Sequence, residues 1–194
     1  MSAPPRGRAA PDLEAPVTVF TVGHSTLTMG EFLALLAAHG VRGVADVRAV
    51  PRSRRHPQFE REALAAALAA AGVAYAHLPG LGGRRTPRPA SPHTALTDPA
   101  LRGYADHMAT ATFAAEVERL LALAAQRPTA ALCAEADAAR CHRSLLADAL
   151  LARGARVTHL LGPAAAASHR LHPAARIAGG IPVYDGAALR LPGL

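Results

Sequence analysis

A regular alternation of short β-branched runs with longer helical segments rich in alanine and leucine constrains the fold of this chain more than any other feature. Such alternation is typical of parallel βαβ units. The expected fold class is α/β, an open, mostly parallel Rossmann-like sheet of about five strands flanked by helices. Strands are predicted over residues 17–22, 44–47, 74–78, 129–133 and 157–161. Helices are predicted over 29–39, 60–71, 104–126 with a break near 110–112, and 141–153.

Three segments lie outside this pattern. Residues 1–16 contain four prolines and predict a disordered arm, which leaves 17–194 as a single α/β domain. Residues 79–102 are rich in Gly, Pro and Arg and are too long for an ordinary connector, so they indicate a lid, a binding loop or a disordered segment. Residues 162–194 are expected to end in a small extra strand.

The charge of the chain favours an anionic partner. Its 21 basic and 14 acidic residues give a net charge of +7, so the expected partner is an anionic small molecule or a nucleic acid. The chain has no lysine, which excludes Schiff-base chemistry on a side chain and the phosphate-binding lysine of a P-loop. No GxGxxG motif follows the first strand, so no NAD site is inferred and the cofactor is left open.

The apolar runs are short. The first of them, 17–22, is too short for a signal peptide, and no stretch approaches the roughly 18 apolar residues of a membrane span. We therefore expect a cytoplasmic location and no membrane partner. Two cysteines do not make a disulfide framework, so no disulfide-linked partner is expected.

Polar side chains gather in the loops that follow the predicted strands. Right-handed crossovers make these loops face a common crevice at the carboxyl edge of the sheet. Catalytic roles are predicted for Cys141, Glu135, His24 and His142. Substrate-binding roles are predicted for Ser25, Asp46, Arg48, Ser53, Arg84 and Arg143.

Both cysteines lie in the stretch from Cys133 to Arg143. Cys141 is expected at or near the first turn of a helix, where the helix dipole and the neighbouring Arg140, His142 and Arg143 favour the thiolate. It would then be a nucleophile with a lowered pKa, and the alternative is a small packed cysteine. Cys133 ends a buried strand, so its interpretation as a core hydrophobe is favoured.

The same stretch admits a metal interpretation. Cys133, Cys141 and His142 would be ligands, and His24 or His77 would complete the four. Seven residues separate the two thiols, which is poor spacing for a zinc motif. A disulfide between the two cysteines requires the loop to fold back.

The other candidates also have structural alternatives. Glu135 could act as a general acid or base, or form a salt bridge to Arg140 or Arg143. Asp46 and Arg48 alternate onto the same side of the chain and could simply pair. A histidine at a strand end, such as His24, is often a satisfied structural residue.

Five motifs in order resemble one family, the domains of unknown function numbered 488. They are Gly-His-Ser at 23–25, Asp-Val-Arg at 46–48 with Pro51 and Ser53, Pro-Gln-Phe at 57–59, Gly82-Gly83 at the end of 75–83, and the Cys133, Glu135, Cys141, His142 and Arg143 pattern. The resemblance extends over about residues 17–184 and implies an α/β sheet protein with no established reaction.

The sequence therefore leaves three functions open. The first is an enzyme with a cationic Cys/His/Glu/Asp/Arg crevice that acts on an anionic, nucleotide-like or nucleic-acid-related substrate. The second is a non-catalytic module that binds phosphate or nucleic acid, and the third is a Cys/His metal-binding protein.

Overall fold

The computed structural model describes residues 15–186. Most of the predicted arm, residues 1–14, and the last residues, 187–194, lie outside the described residues. No helix among the residues described is both long enough and apolar enough to cross a membrane.

A six-stranded sheet forms the centre of the protein. Its strands are β1 (Thr18–Gly23), β2 (Gly43–Asp46), β3 (Ala74–His77), β4 (Thr129–Cys133), β5 (Arg156–Gly162) and β6 (Ala165–Ser168). They lie in the order β3-β2-β4-β1-β5-β6, and the first five in the chain are parallel. β6 pairs antiparallel with β5, and β7 (Arg176–Ala178) and β8 (Ile181–Val183) form a separate antiparallel pair. The predicted open, mostly parallel α/β sheet is confirmed.

In the part of the chain that the structure describes, five α-helices flank the sheet. They are α1 (Met29–Ala38), α2 (Arg61–Ala70), α3 (Pro99–Met108), α4 (Ala111–Gln126) and α5 (Arg143–Leu151). The predicted break near residues 110–112 is present, because the Thr110 side chain accepts a hydrogen bond from the Phe113 amide and caps α4. The start of α3 differs from the prediction: Asp98 caps a helix that begins at Pro99, inside the segment expected to be a loop.

The two faces of the sheet carry different helices. Side chains of α1 and α2, such as Phe32 and Leu64, pack with Val22 of β1 on one face. Side chains of α3, α4 and α5, such as Phe113 and Leu145, pack on the opposite face. The neighbouring strands β1 and β4 therefore lead to helices on opposite faces. This is the topological switch point at which α/β sheets bind their ligands.

A short 3-10 turn, Ala138–Arg140, separates β4 from α5. Because α5 begins at Arg143, Cys141 lies just before the helix and not within its first turn. The sequence predicts a helix start at about residue 141, so the observed start is two residues later, and Cys141 lies near the first turn. The side chains around this thiol are described below.

A chain of hydrogen bonds joins β1, β5 and the segment after β6 to α5. The Thr21 hydroxyl lies 2.6 Å from Nδ1 of His159, whose Nε2 lies 2.9 Å from Nδ1 of His169. Nε2 of His169 in turn donates to Asp148 across 2.8 Å, and the Tyr184 hydroxyl donates to the same carboxylate across 2.7 Å. Asp148 is fully buried, so this network satisfies a charge that water cannot reach.

The network predicts that acid destabilises the protein. Burial, followed by His169 and Arg143, lowers the pKa of His159 from 6.5 to about 4, while Asp137 and Asp148 act in the opposite direction. Between these two pH values the unfolded chain binds a proton that the folded chain does not, so stability falls as the pH drops from 6.5 towards 4. Thermal melting of the wild type and of His159→Gln between pH 7 and pH 4.5 measures this. The variant should lose less stability on acidification, and an equal loss in both proteins contradicts the prediction.

Candidate functional site

The loops after β1 and β4 touch each other at the switch point. The amide of His24 donates to the Cys133 carbonyl at 3.0 Å, and the amide of Ser25 donates to the Ala134 carbonyl at 2.9 Å. Gly23 makes this approach possible, because a Cβ at that position would lie 1.9 Å from the carbonyl oxygen of Glu135. The loop after β1 therefore lies directly against the backbone segment that carries the cysteines.

Two thiols and an imidazole converge at the end of β4. We call Cys133, Cys141 and His142 the thiol–imidazole cluster. Nδ1 of His142 lies 3.5 Å from Sγ of Cys141 and 4.0 Å from Sγ of Cys133, and the three atoms lie within 4.8 Å of one another. Both cysteines are buried and free. The loop does fold back, as a contact between the two thiols requires.

Arg143 completes the surroundings of Cys141. Its guanidinium is 1% exposed, and its Nε donates to Sγ of Cys141 at 3.5 Å. Its Nη2 donates to the carbonyls of Glu135 and Ala136. Among the described residues no carboxylate pairs with it. A buried cation requires compensation, and the group placed to supply a negative charge is the Cys141 sulfur.

The contact between the thiols separates their pKa values. Sγ of Cys141 accepts a hydrogen bond from the Cys133 thiol and is close to His142 and Arg143, so the pKa of Cys141 is lowered. The pKa of Cys133 is raised, first by its hydrogen bond to Cys141 and then by burial. The thiolate of the pair is therefore Cys141.

His142 is enclosed from two sides. The ring of Tyr104 lies 5.0 Å from it between centroids, and Tyr104 is held by donation from its hydroxyl to the Leu81 carbonyl at 3.0 Å. On the other side lies Gly83, where a Cβ would be 2.6 Å from Nδ1 of His142. Nε2 of His142 is buried and has no hydrogen-bond partner within residues 15–186. The polar contacts of this ring are therefore with the two sulfurs.

A second polar group lies at the ends of β2 and β3. Asp46 is fully buried and accepts two bonds from the Arg48 guanidinium, from Nε at 2.8 Å and from Nη2 at 2.6 Å. The Tyr75 hydroxyl donates to the same carboxylate at 2.9 Å, and Nε2 of His77 donates to the Arg48 carbonyl at 2.9 Å. Asp46 is therefore paired with Arg48. This is the structural alternative to substrate binding that the sequence left open for these two residues.

His24 connects this group to the β1 loop. Nη1 of Arg48 lies 3.3 Å from its Nε2, and its Nδ1 lies 3.0 Å from the Ser25 carbonyl. The guanidinium must donate, so Nε2 is the acceptor and Nδ1 carries the proton. Its ring stacks on Phe59 at 4.1 Å. Burial, and then Arg48, lowers the pKa of His24 to about 4, so this histidine is neutral near pH 7.

The remaining predicted site residues lie towards solvent. Glu135 is exposed and accepts from the Asp137 amide, so it is not in the water-excluding loop expected for a general acid or base. Ser53 accepts from the His56 amide within its own loop. Ser25 has a left-handed backbone with φ 45°, and exposed Arg84, beside Gly83, has φ 61°. Each such residue costs on the order of 1–3 kcal/mol.

The expected fourth metal ligands are not in the cluster. His24 and His77 both make the hydrogen bonds described above, and the group of convergent ligand atoms contains three residues. The prediction that either histidine completes four ligands with the thiols is therefore wrong for this arrangement. A position at a strand end does not by itself determine what a side chain contacts, and these two imidazoles are hydrogen-bonded to other groups.

An apolar cleft of about 690 Å³ opens beside the switch point. Its walls come from the β1 loop, α1, the loop after β4 and the end of β5, and they include Leu27, Leu35 and Leu160. Gly23 and Ser25 line it, so the loop that carries His24 forms part of the cleft wall. Asp137 and Glu31 are also among its lining residues.

Tyr75, Tyr104 and Phe59 support the site without having been predicted to do so. Phe59 and Tyr75 lie in segments that carry the family resemblance, but only the structure shows that Tyr75 holds Asp46, Tyr104 covers His142 and Phe59 supports His24. The Gly82-Gly83 doublet was a visible signal, because adjacent glycines commonly mark a close approach of backbone to another group.

Fold and site together define an open, doubly wound α/β protein with a thiol–imidazole cluster at its switch point. The model of the family described as "Domain of unknown function DUF488" matches residues 28–150, well over half of the chain. The chain belongs to that family, and the predicted resemblance is confirmed. The matched range contains both cysteines and Arg48, whereas His24 and Ser25 lie before it. No curated protein and no solved structure matches the chain.

Proposed function

We propose that the protein is an enzyme that acts on an anionic, nucleotide-like substrate at the carboxyl edge of β1, β2 and β4, with Cys141 and His142 at its reacting centre. The observation that carries this proposal is the buried Arg143 guanidinium, which faces Sγ of Cys141 and has no carboxylate partner in the described chain. A cysteine that only fills the core is neutral and does not require a buried cation beside its sulfur. Clustered titratable groups with perturbed environments are typical of active sites.

The residues around the centre have separable roles. His142 lies within reach of both sulfurs and exchanges protons with the reacting groups. Arg48 is fixed by Asp46 and positions His24 through Nη1. Glu135, at the solvent side of the same loop, carries protons between the site and water.

Charge and shape support the choice of substrate. Four arginines at the same edge, Arg52, Arg54, Arg55 and Arg84, are exposed and make no side-chain hydrogen bond or ion pair within residues 15–186. Free guanidinium groups bind phosphate well, because their geometry matches its oxygens. The apolar cleft lined by Gly23, Ser25 and Leu160 is large enough for an uncharged ring system, such as a nucleobase.

A substrate panel tests the proposal. The wild type is incubated with nucleoside mono-, di- and triphosphates, sugar phosphates and short DNA and RNA oligonucleotides, and the products are separated by liquid chromatography and mass spectrometry. One class should be converted, and Cys141→Ser should reduce its turnover to background because the reacting sulfur is lost. Ala139→Ser, an exposed change in the preceding 3-10 turn, should retain full turnover.

Two results would contradict the proposal. Full turnover by a folded Cys141→Ser protein would remove the cluster from the reaction. Binding of the oligonucleotides that weakens steeply with salt, without conversion of any panel member, would favour a phosphate-binding module instead.

A further inference from the structure

We propose that Cys133, Cys141 and His142 bind one soft divalent metal ion of the zinc type and leave one coordination position open. The inference rests on the proposed function and deepens it: with the ion bound, Cys141 and His142 would hold the reacting ion and would not themselves act as nucleophile and proton carrier. Metal binding itself is measured without substrate, so the two proposals can fail separately.

The distances within the cluster fit a tetrahedral ion. Thiolate sulfur and imidazole nitrogen are the ligands that zinc prefers, at bond lengths near 2.3 and 2.0 Å, which at a tetrahedral angle place such a sulfur and nitrogen about 3.5 Å apart. The two observed separations from Nδ1 of His142, 3.5 Å to Cys141 and 4.0 Å to Cys133, lie close to that value. Small adjustments of the side chains would place one ion between the three atoms.

The environment of His142 points to a ligand and not to a structural histidine. A structural buried imidazole normally has both ring nitrogens hydrogen-bonded to protein groups. Here Nδ1 faces two sulfurs, and Nε2 has no partner among the residues that the structure describes. The bare backbone of Gly83 leaves space beside Nδ1, which the Cβ of any other residue would fill from 2.6 Å.

Arg143 supports the thiolate form that a metal requires. Its Nε donates to Sγ of Cys141, and two backbone carbonyls hold the guanidinium in this position. Hydrogen bonds to ligand atoms of this kind orient them and adjust their basicity.

Within the described residues, 15–186, the site has three candidate ligands. His24 and His77 are engaged elsewhere, and the Glu135 carboxylate points to solvent. Three ligands with an open position are the pattern of catalytic zinc sites, whereas structural sites are closed by four. A bound ion would supply Lewis acidity at that open position.

Cobalt titration tests the inference on the full-length chain. Protein kept reduced and stripped with a chelator is titrated with Co²⁺, and the visible spectrum and metal content are measured. We expect one ion per chain, the absorption of tetrahedral cobalt with thiolate ligands, and its loss when Zn²⁺ is added. Cys133→Ser, Cys141→Ser and His142→Gln should each weaken cobalt binding at least about tenfold. His77→Gln, a neighbouring imidazole outside the cluster, should bind like the wild type.

A second measurement on the wild type avoids any dependence on variants that fail to fold. Zn²⁺ should protect both thiols from iodoacetamide, with the number of modified cysteines read from intact mass. Equal modification with and without Zn²⁺ overturns the inference, as does a cobalt spectrum that survives in Cys133→Ser and Cys141→Ser. A disulfide in place of metal binding would appear as a loss of two mass units and would overturn it too.

The outcomes also separate this inference from the proposed function. Stripped protein that binds no cobalt yet converts a substrate overturns the metal site and leaves the enzyme standing. Protein that binds one cobalt at the cluster but converts no panel member supports the metal site and counts against the enzyme.

Discussion

Replacing Arg48 by methionine should lower the free energy of unfolding by about 3–5 kcal/mol, because the change leaves a buried carboxylate without its cation. Asp46 is fully buried and Arg48 is 7% exposed, and the two share two guanidinium bonds. The Tyr75 hydroxyl and the backbone amide of residue 48 would remain as neutral donors to the carboxylate, but no cation would. Urea unfolding at pH 7, followed by circular dichroism, measures the change.

An exposed ion pair provides the matched control. Arg119 pairs with Glu116 on α4 and is 57% exposed, so Arg119→Met should change stability by less than about 1 kcal/mol. The double variant Asp46→Leu with Arg48→Met should recover part of the loss, since replacing a whole buried pair with apolar groups is often neutral. Equal effects of Arg48→Met and Arg119→Met would show that the Asp46–Arg48 pair is not as buried as the structure describes.

The sequence predicts the sheet well because its strands carry a strong local signal. The run from Thr129 to Cys133 lies between a proline and a polar loop, and the predicted and observed bounds agree. β6 is missed because Ala165–Ser168 has no β-branched residue and gains its strand conformation only by pairing with β5. The early start of α3 is missed although Asp98-Pro99 is a recognisable helix start.

The sequence predicts which loops form the candidate site, but it does not predict which side chains contact one another there. Parallel topology places Asp46, Cys133 and Gly23 at one edge, so the sequence identifies the correct region. Which side chains meet depends on turns such as the 3-10 turn before Cys141, and no local pattern encodes it. Gly83 reaches His142 from a segment for which no regular element was expected.

Gly23→Ala should lower the stability of the protein as much as Arg48→Met does, and it should also disturb the candidate site. An added methyl would lie 1.9 Å from the Glu135 carbonyl oxygen and 3.0 Å from Cα of Ala136, and neither backbone atom can move without displacing the loop. Overpacking of this severity is expected to cost at least about 3 kcal/mol. The displaced carbonyl is also one that holds Arg143 beside Cys141, so the contact of the guanidinium with the sulfur should weaken as well.

A second glycine variant tests whether the steric clash, and not the replacement of a glycine as such, causes the loss of stability. Gly30 lies in α1 with nothing within 4 Å of an added Cβ, so Gly30→Ala should leave stability unchanged or raise it by up to about 1 kcal/mol. Thermal melting and the iodoacetamide reactivity of Cys141 are measured for both variants at a temperature where each is folded. Because Arg143 favours the thiolate, only Gly23→Ala should change the rate of alkylation. Equal melting and equal alkylation in the two variants would mean that the β1 and β4 loops do not approach each other this closely, and that Arg143 is held in place without them.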